Sequence, residues 1–278
     1  MADPIIVPAI GGVAGAFATQ LAGAAGAWLR ERFSGHTELA YQRAHNNSEA
    51  FIINLSNRLQ NIENSMAEDQ SIVSKMGQAM EHPDVAAAIQ DALYSAARTN
   101  DPQKHDLLSR AITERMLSDH DGVQALATNQ ALSVIPRLSP IHLDALGLTT
   151  LVYSIRPTLD SAIPPKTIAR ELEFWLASQV SLYLPIDDVS YMDAKHLMSN
   201  GCLIFQGNFS NDLKRVLSPD GVDDFEWTSD GFFESELGQK LQSAWGSFGT
   251  HCQLTSVGEI IGIYVHDSKS GRRTEITW

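Results

Sequence analysis

The apolar residues Ile52, Leu55, Leu59, Ile62 and Met66 recur at steps of 3, 4, 3 and 4, and Tyr41, His45 and Ser48 carry the same phase backwards. Residues three and four apart share a helical face, so the spacing predicts a long amphipathic helix beginning near Thr37. Two clean heptads fall short of the three or four that mark a coiled coil. Packing within one chain is the expectation, with an intermolecular coiled coil as the alternative. Shorter helical patterns follow. One opens at His82-Pro83-Asp84 and carries Val85, Ala88, Ile89, Ala92 and Leu93. After the turn signal Asn100-Asp101-Pro102, another carries Leu107, Leu108, Ala111, Ile112 and Met116, and a third runs through Val123, Leu126, Leu132 and Ile135. No strand is expected before Pro136.

Beyond that point the pattern changes. Ser139-Pro140 reads as a helix start, with Ser at the N-cap and Pro at the first helical position. Pro164-Pro165 starts another helix, with Ile168, Leu172, Trp175, Leu176 and Val180 on one face, and a third runs from Asp187 to Ser199 and stops at Gly201. Cys202 to Phe205 and His251 to Thr255 read as two short strands. Between them lies an acidic stretch and a helix over Glu236 to Phe248, and Ser256 with Glu259 forms a capping box for a final helix. The fold expected is mainly α: a helical N-terminal domain and a C-terminal winged-helix-like domain with a small β-hairpin. The boundaries are 1–35, 36–138 and 139–278.

The first segment stands apart. No charged residue occurs from Pro4 to Leu29, a run of 26 positions dominated by Ala and Gly. As a helix it is long enough for a bilayer core of about 30 Å, but Ala and Gly supply little transfer energy. Asp3 and the absence of a basic n-region argue against a secretory signal. Gly11 and Gly15 form a GxxxG, continued on the same step by Thr19, Gly23 and Ala27. Small residues at that spacing let helix backbones approach closely. Gly11, Gly15 and Gly23, with Phe17 and Trp28, are the expected self-association or membrane residues; the membrane contact would run through residues 1–29.

Charge and chemistry narrow the function. There are 33 acidic against 20 basic residues, a net charge of −13, which argues against a general polyanion binder. The more basic spots include Lys214-Arg215 and the tail, where Lys269, Arg272 and Arg273 are the candidate nucleic-acid contacts. Two cysteines exclude a disulfide scaffold and a Cys-based zinc module. Nine histidines supply no HExxH and no i, i+4 helical pair, and there is no GxSxG and no phosphate-binding glycine loop. No metal, no cofactor and no catalytic residue is expected.

Leu254-Thr255 with Gly258 resembles the "LTxxG" that follows the wing in many bacterial winged-helix proteins. The order of a Gly/Ala-rich N-terminal helix, a long helix, "NDPQKHDLLSRAITERML", "LSPIHLDALGL", "HLMSNGCLIF" and "LTSVGEIIG" resembles the bacterial Abi-alpha type of family, associated with abortive infection and phage defence. The resemblance implies a defence role without a defined chemistry, and this chain departs from it in the acidic insert from Pro219 to Glu236. The expectation is a non-enzymatic cytoplasmic protein, possible inner-membrane association included, that forms a homo-oligomer and engages a protein partner or a membrane. The alternatives are a winged-helix DNA-binding regulator and a membrane-perturbing effector.

Overall fold

The computed structural model describes residues 5, 12–65, 75, 77–79, 82–118, 122–157, 164–185, 189–207, 210–219 and 225–274. The chain divides into two compact units, the first ending at Arg137 and the second beginning at Leu138. It is mainly helical, with one small antiparallel sheet.

The first unit is built on one long helix. α1 spans Gly12–Phe33 and α2 spans Glu38–Ser65; α3 (Pro83–Ala97), α4 (Pro102–Leu117) and α5 (Val123–Val134) complete the described array. The heptad seam of α2 is its buried face: His45, Ser48, Ile52, Leu55, Leu59 and Ile62 are all buried, and Met66 lies outside the described residues. α1, α3 and α4 each pack against α2. Proline in the first turn starts α3 and α4, and the Asp101 carboxylate caps α4 by accepting from Gln103 N at 3.0 Å. Arg115 is buried at 1% exposure because the Asp84 carboxylate and the Asn129 amide oxygen both accept from it. In α5 the small residues face inward: Ala125, Ala127, Thr128 and Ala131 are buried, whereas Val123 and Leu126 are more than 60% exposed. Leu132 and Ile135, the other two residues expected on the apolar face, are buried, so the correction concerns Val123 and Leu126 alone. These two point outward because α3 and α4 come close enough to the first turns of α5 to require small side chains there.

The second unit has α6 (Pro140–Tyr153), α7 (Pro165–Val180), α8 (Tyr191–Ser199), β1 (Leu203–Phe205), α9 (Leu213–Leu217), α10 (Glu236–Phe248), β2 (Cys252–Leu254) and α11 (Ser256–Ser270). Its centre is the pair α6–α11. A Cβ on Gly262 would overlap Thr150 Oγ1 and stand 2.6 Å from the Leu146 carbonyl oxygen; one on Gly258 would overlap the Cys202 carbonyl oxygen. The close-packed GxxxG of this unit is therefore Gly258-Glu-Ile-Ile-Gly262. β1 and β2 pair antiparallel, with Leu203 opposite Leu254 and Phe205 opposite Cys252, and residues 206–251 between them. The cap of α11 is Thr255, accepting from Gly258 N at 3.1 Å, one residue before the Ser256 named from sequence. Thr255 wins because its hydroxyl also donates to Gly201 O at 2.6 Å, tying the helix start to β1. Gly201 takes φ +72° after α8, the left-handed conformation that a glycine tolerates at a helix end.

No helix among the described residues is long and apolar enough to cross a membrane. Of the apolar segment Pro4 to Leu29, Ile5 and the residues from Gly12 onward are described, and α1 meets the low transfer energy expected of its Ala and Gly.

Candidate functional site

α1 sits on α2 through Ala14, Ala18, Leu21, Ala22, Ala25 and Leu29, all buried. The Glu63 carboxylate of α2 accepts from Ala14 N at 3.2 Å, so a side chain of the neighbouring helix satisfies an amide of the first turn of α1. Ala16, Thr19, Gly23 and Ala27 are exposed, and no charged side chain interrupts this face before Arg30. A Cβ built on Gly23 meets nothing within 4 Å. The small-residue row therefore splits: Gly15 is buried, Gly23 lies on the outer surface, and Gly11 lies outside the described residues. Phe17 is buried at 8% exposure and Trp28 is half-buried.

Phe17 and Trp28 instead line a cleft. It has a volume of about 350 Å³ and is walled by Phe17, Gln20, Leu21, Ala24 and Trp28 of α1 and by Ala86, Ile89, Gln90 and Leu93 of α3. At one end Trp28 meets Tyr94 edge-on at 5.6 Å. Arg32 and Arg98 lie over the Tyr94 ring at 5.7 and 5.3 Å from its centroid. Sequence reasoning missed this end of the cleft because α1 and α3 are some sixty residues apart and no local spacing joins them.

In the second unit, two helix starts are joined by a Ser–His–Asp set. Ser139 N donates to His142 Nδ1 at 3.1 Å, which leaves Nε2 as the protonated nitrogen that donates to Asp193 Oδ1 at 3.0 Å. Ser139 Oγ lies 3.0 Å from Nδ1. Asp193 Oδ2 accepts from Ser190 N at 2.9 Å and from Ser190 Oγ. His196 stacks on His142 with ring centroids 4.7 Å apart. Hydrogen bonding from Ser190 and then from His142 holds the Asp193 carboxyl below its usual range, against an opposing effect of burial. The two serines are the N-caps of α6 and α8, and each heads a capping box. These groups are thus engaged in closing helix ends, which is the structural use of the arrangement.

A second polar group is more deeply buried. Tyr183 Oη and His266 Nδ1 are 2.9 Å apart, and Lys269 pairs with Asp144 at 3.0 Å while lying over the Tyr183 ring. Burial lowers the His266 pKa and raises that of Tyr183, so the phenol donates and the neutral imidazole accepts. Lys269, named from sequence as a nucleic-acid contact, is thus held by an ion pair. Arg272 and Arg273 are exposed beyond the αL Gly271, where Thr274 is tied back to Asp267 by bonds of 2.7 Å. Cys202 and Cys252 are both free and buried, and the strand register sets Cys252 opposite Phe205, not Cys202. Burial pushes the Cys202 thiol up to about 12 and raises Cys252 as well.

Among the described residues no group of three or more His, Cys, Asp or Glu is placed to hold a metal ion. The acidic pair Asp187-Asp188 and the run Asp119-His120-Asp121 lie outside those residues. A protein-family model described as ":-like" matches residues 15–243. Neither the curated proteins nor the solved structures contain a significant match.

Proposed function

The chain belongs to the ":-like" family, whose model spans α1 to α10, and from its own geometry we propose a non-enzymatic protein that self-associates through the outer face of α1. The observation that carries this reading is the exposed row Ala16, Thr19, Gly23 and Ala27, small and uncharged, on a helix whose opposite face is already seated on α2. Small side chains admit a second backbone at short range, and their lack of charge matters in a chain of net charge −13. Two like copies repel least where neither carries a charge. The winged-helix-like reading of the second unit rests on the order α8, β1, β2, α11. A role in abortive infection rests on the resemblance drawn from sequence.

Gly23→Leu separates association from folding, because Gly23 is exposed and a Cβ there meets nothing within 4 Å among the described residues. Sedimentation is expected to give an oligomer for the full chain, and a monomer for Gly23→Leu and for a chain lacking residues 1–29. A wild-type monomer at tens of micromolar, or a Gly23→Leu variant with unchanged mass, overturns the reading. Gly15 is unsuited to this test, since its burial makes a leucine there a fold-breaking change.

A further inference from the structure

α1 and α3 both rest on α2 and scarcely touch one another, so the cleft between them stays open. Its walls run along α1 from Phe17 to Trp28, about 16 Å at the helical rise of 1.5 Å per residue. Its volume of about 350 Å³ falls in the range of small-molecule sites. No ionisable side chain lines it, and the amides of Gln20 and Gln90 are its polar groups.

The surroundings of its Trp28 end have the opposite character. Beyond Trp28, the guanidiniums of Arg32 and Arg98 converge on the ring of Tyr94. Arginine near a helix C-terminus suits the helix dipole, which accounts for each residue alone. It does not account for both meeting on Tyr94, beside the Trp28 end of one apolar cleft. Among the described residues neither is paired with a carboxylate, although acids outnumber bases in the chain.

We propose that this cleft binds a single-chain anionic amphiphile of the long-chain carboxylate class. Its apolar chain lies between Phe17, Leu21, Ile89 and Leu93, and its head group rests at Arg32 and Arg98. Shape favours a narrow chain over a protein helix. The wall residues are already withdrawn from solvent, with Ile89 at 6% and Leu93 at 3% exposure, while a helix with its side chains is about 10 Å across. Gly23 itself is not among the residues that line the cleft, so the Gly23→Leu test of association leaves the lining intact.

The experiment is calorimetric titration of the full chain with dodecanoate below its micellar concentration, beside dodecanol and dodecyltrimethylammonium. Ala24→Phe and Ala86→Phe fill the cleft from exposed positions without entering the core, and circular dichroism checks their fold. Dodecanoate is expected to bind saturably at one per chain, and each filled variant to weaken it by roughly tenfold or more. Replacing Arg32 and Arg98 by Gln is expected to weaken dodecanoate by roughly tenfold and leave dodecanol unchanged. Absence of saturable dodecanoate binding by the wild-type chain overturns the proposal. So does equal binding of the cationic amphiphile, or undiminished binding by folded filled variants. Binding confined to vesicles of anionic phospholipid also overturns it, and points to a lipid surface.

Discussion

His142 and Asp193 are each the third residue of a helix, each completes the capping box of its own N-terminal serine, and they are hydrogen-bonded to one another at 3.0 Å. One bond therefore links two helix starts that are fifty residues apart. Replacing Asp193 by Ala removes a cap and the link together, at a cost on the order of 1–2 kcal/mol in urea unfolding at pH 7. The folded carboxyl has a depressed pKa, so the unfolded chain binds more protons in acid. Its contribution is present above the unfolded carboxylate value of about 3.9 and is lost as pH falls through the folded value. Wild type and Asp193→Ala should converge in stability below pH 4; a gap that is constant from pH 7 to pH 3 would refute the assignment.

The pair α6–α11 has no room for one more carbon at Gly262. Gly262→Ala should destabilise the second unit by about 1–3 kcal/mol through overpacking. Thr150 Oγ1 is buried among the described residues without a hydrogen-bond partner. Thr150→Ala should therefore be mild alone and should recover part of the loss in the double variant, a coupling that a double-mutant cycle reads directly. Strictly additive effects would show that the two residues do not meet.

His266 sets a second pH dependence. Burial first, then a nearby Arg272, lowers its pKa against the opposing pull of Asp267. The unfolded imidazole takes up a proton near pH 6.5 while the folded one resists, so stability falls as pH drops below about 6.5 and levels off below the folded value. His266→Gln should flatten that part of the profile relative to wild type. Thermal unfolding from pH 7.5 to pH 5 measures the difference, and superimposable slopes would remove His266 from the account.

The thiols should be silent in the native protein. With Cys202 raised to about 12 and Cys252 raised by the same cause, little thiolate exists at pH 8. A chromogenic disulfide reagent should titrate no thiol until denaturant is added and two afterwards. Rapid native labelling of either would mean that the strands open readily.

Prolines and caps were the most legible part of the sequence. Pro83, Pro102, Pro140 and Pro165 all stand in the first turn of a helix, because a missing amide costs nothing there. The seam of α2 was equally plain, since its period alone decides which face is buried. What the sequence concealed depends on neighbours. Val123 and Leu126 face outward because the packing distance, not their own hydrophobicity, chose the small side of α5. The glycines of α1 drew the eye toward close packing, yet the tighter glycine seam lies in α11 opposite Thr150. The cleft was invisible, because it is defined by two helices that share a support and avoid each other. Local periodicity reached the helical class and could not reach the cleft, whose residues lie far apart in the chain.

Glu63 and the buried stripe from Ala14 to Leu29 attach α1 to α2, while α3 and α4 pack on α2 and on each other. Lifting α1 away therefore leaves α2, α3 and α4 mutually supported. In hydrogen-exchange terms α1 is expected to act as a separable cooperative unit, its amides exchanging together through a partial opening at a lower free energy than those of α2. That opening bares Leu21, Ala25 and Leu29 along with the face of α2 that they cover, so the same helix that carries the cleft also governs how much apolar surface the first unit shows to its surroundings.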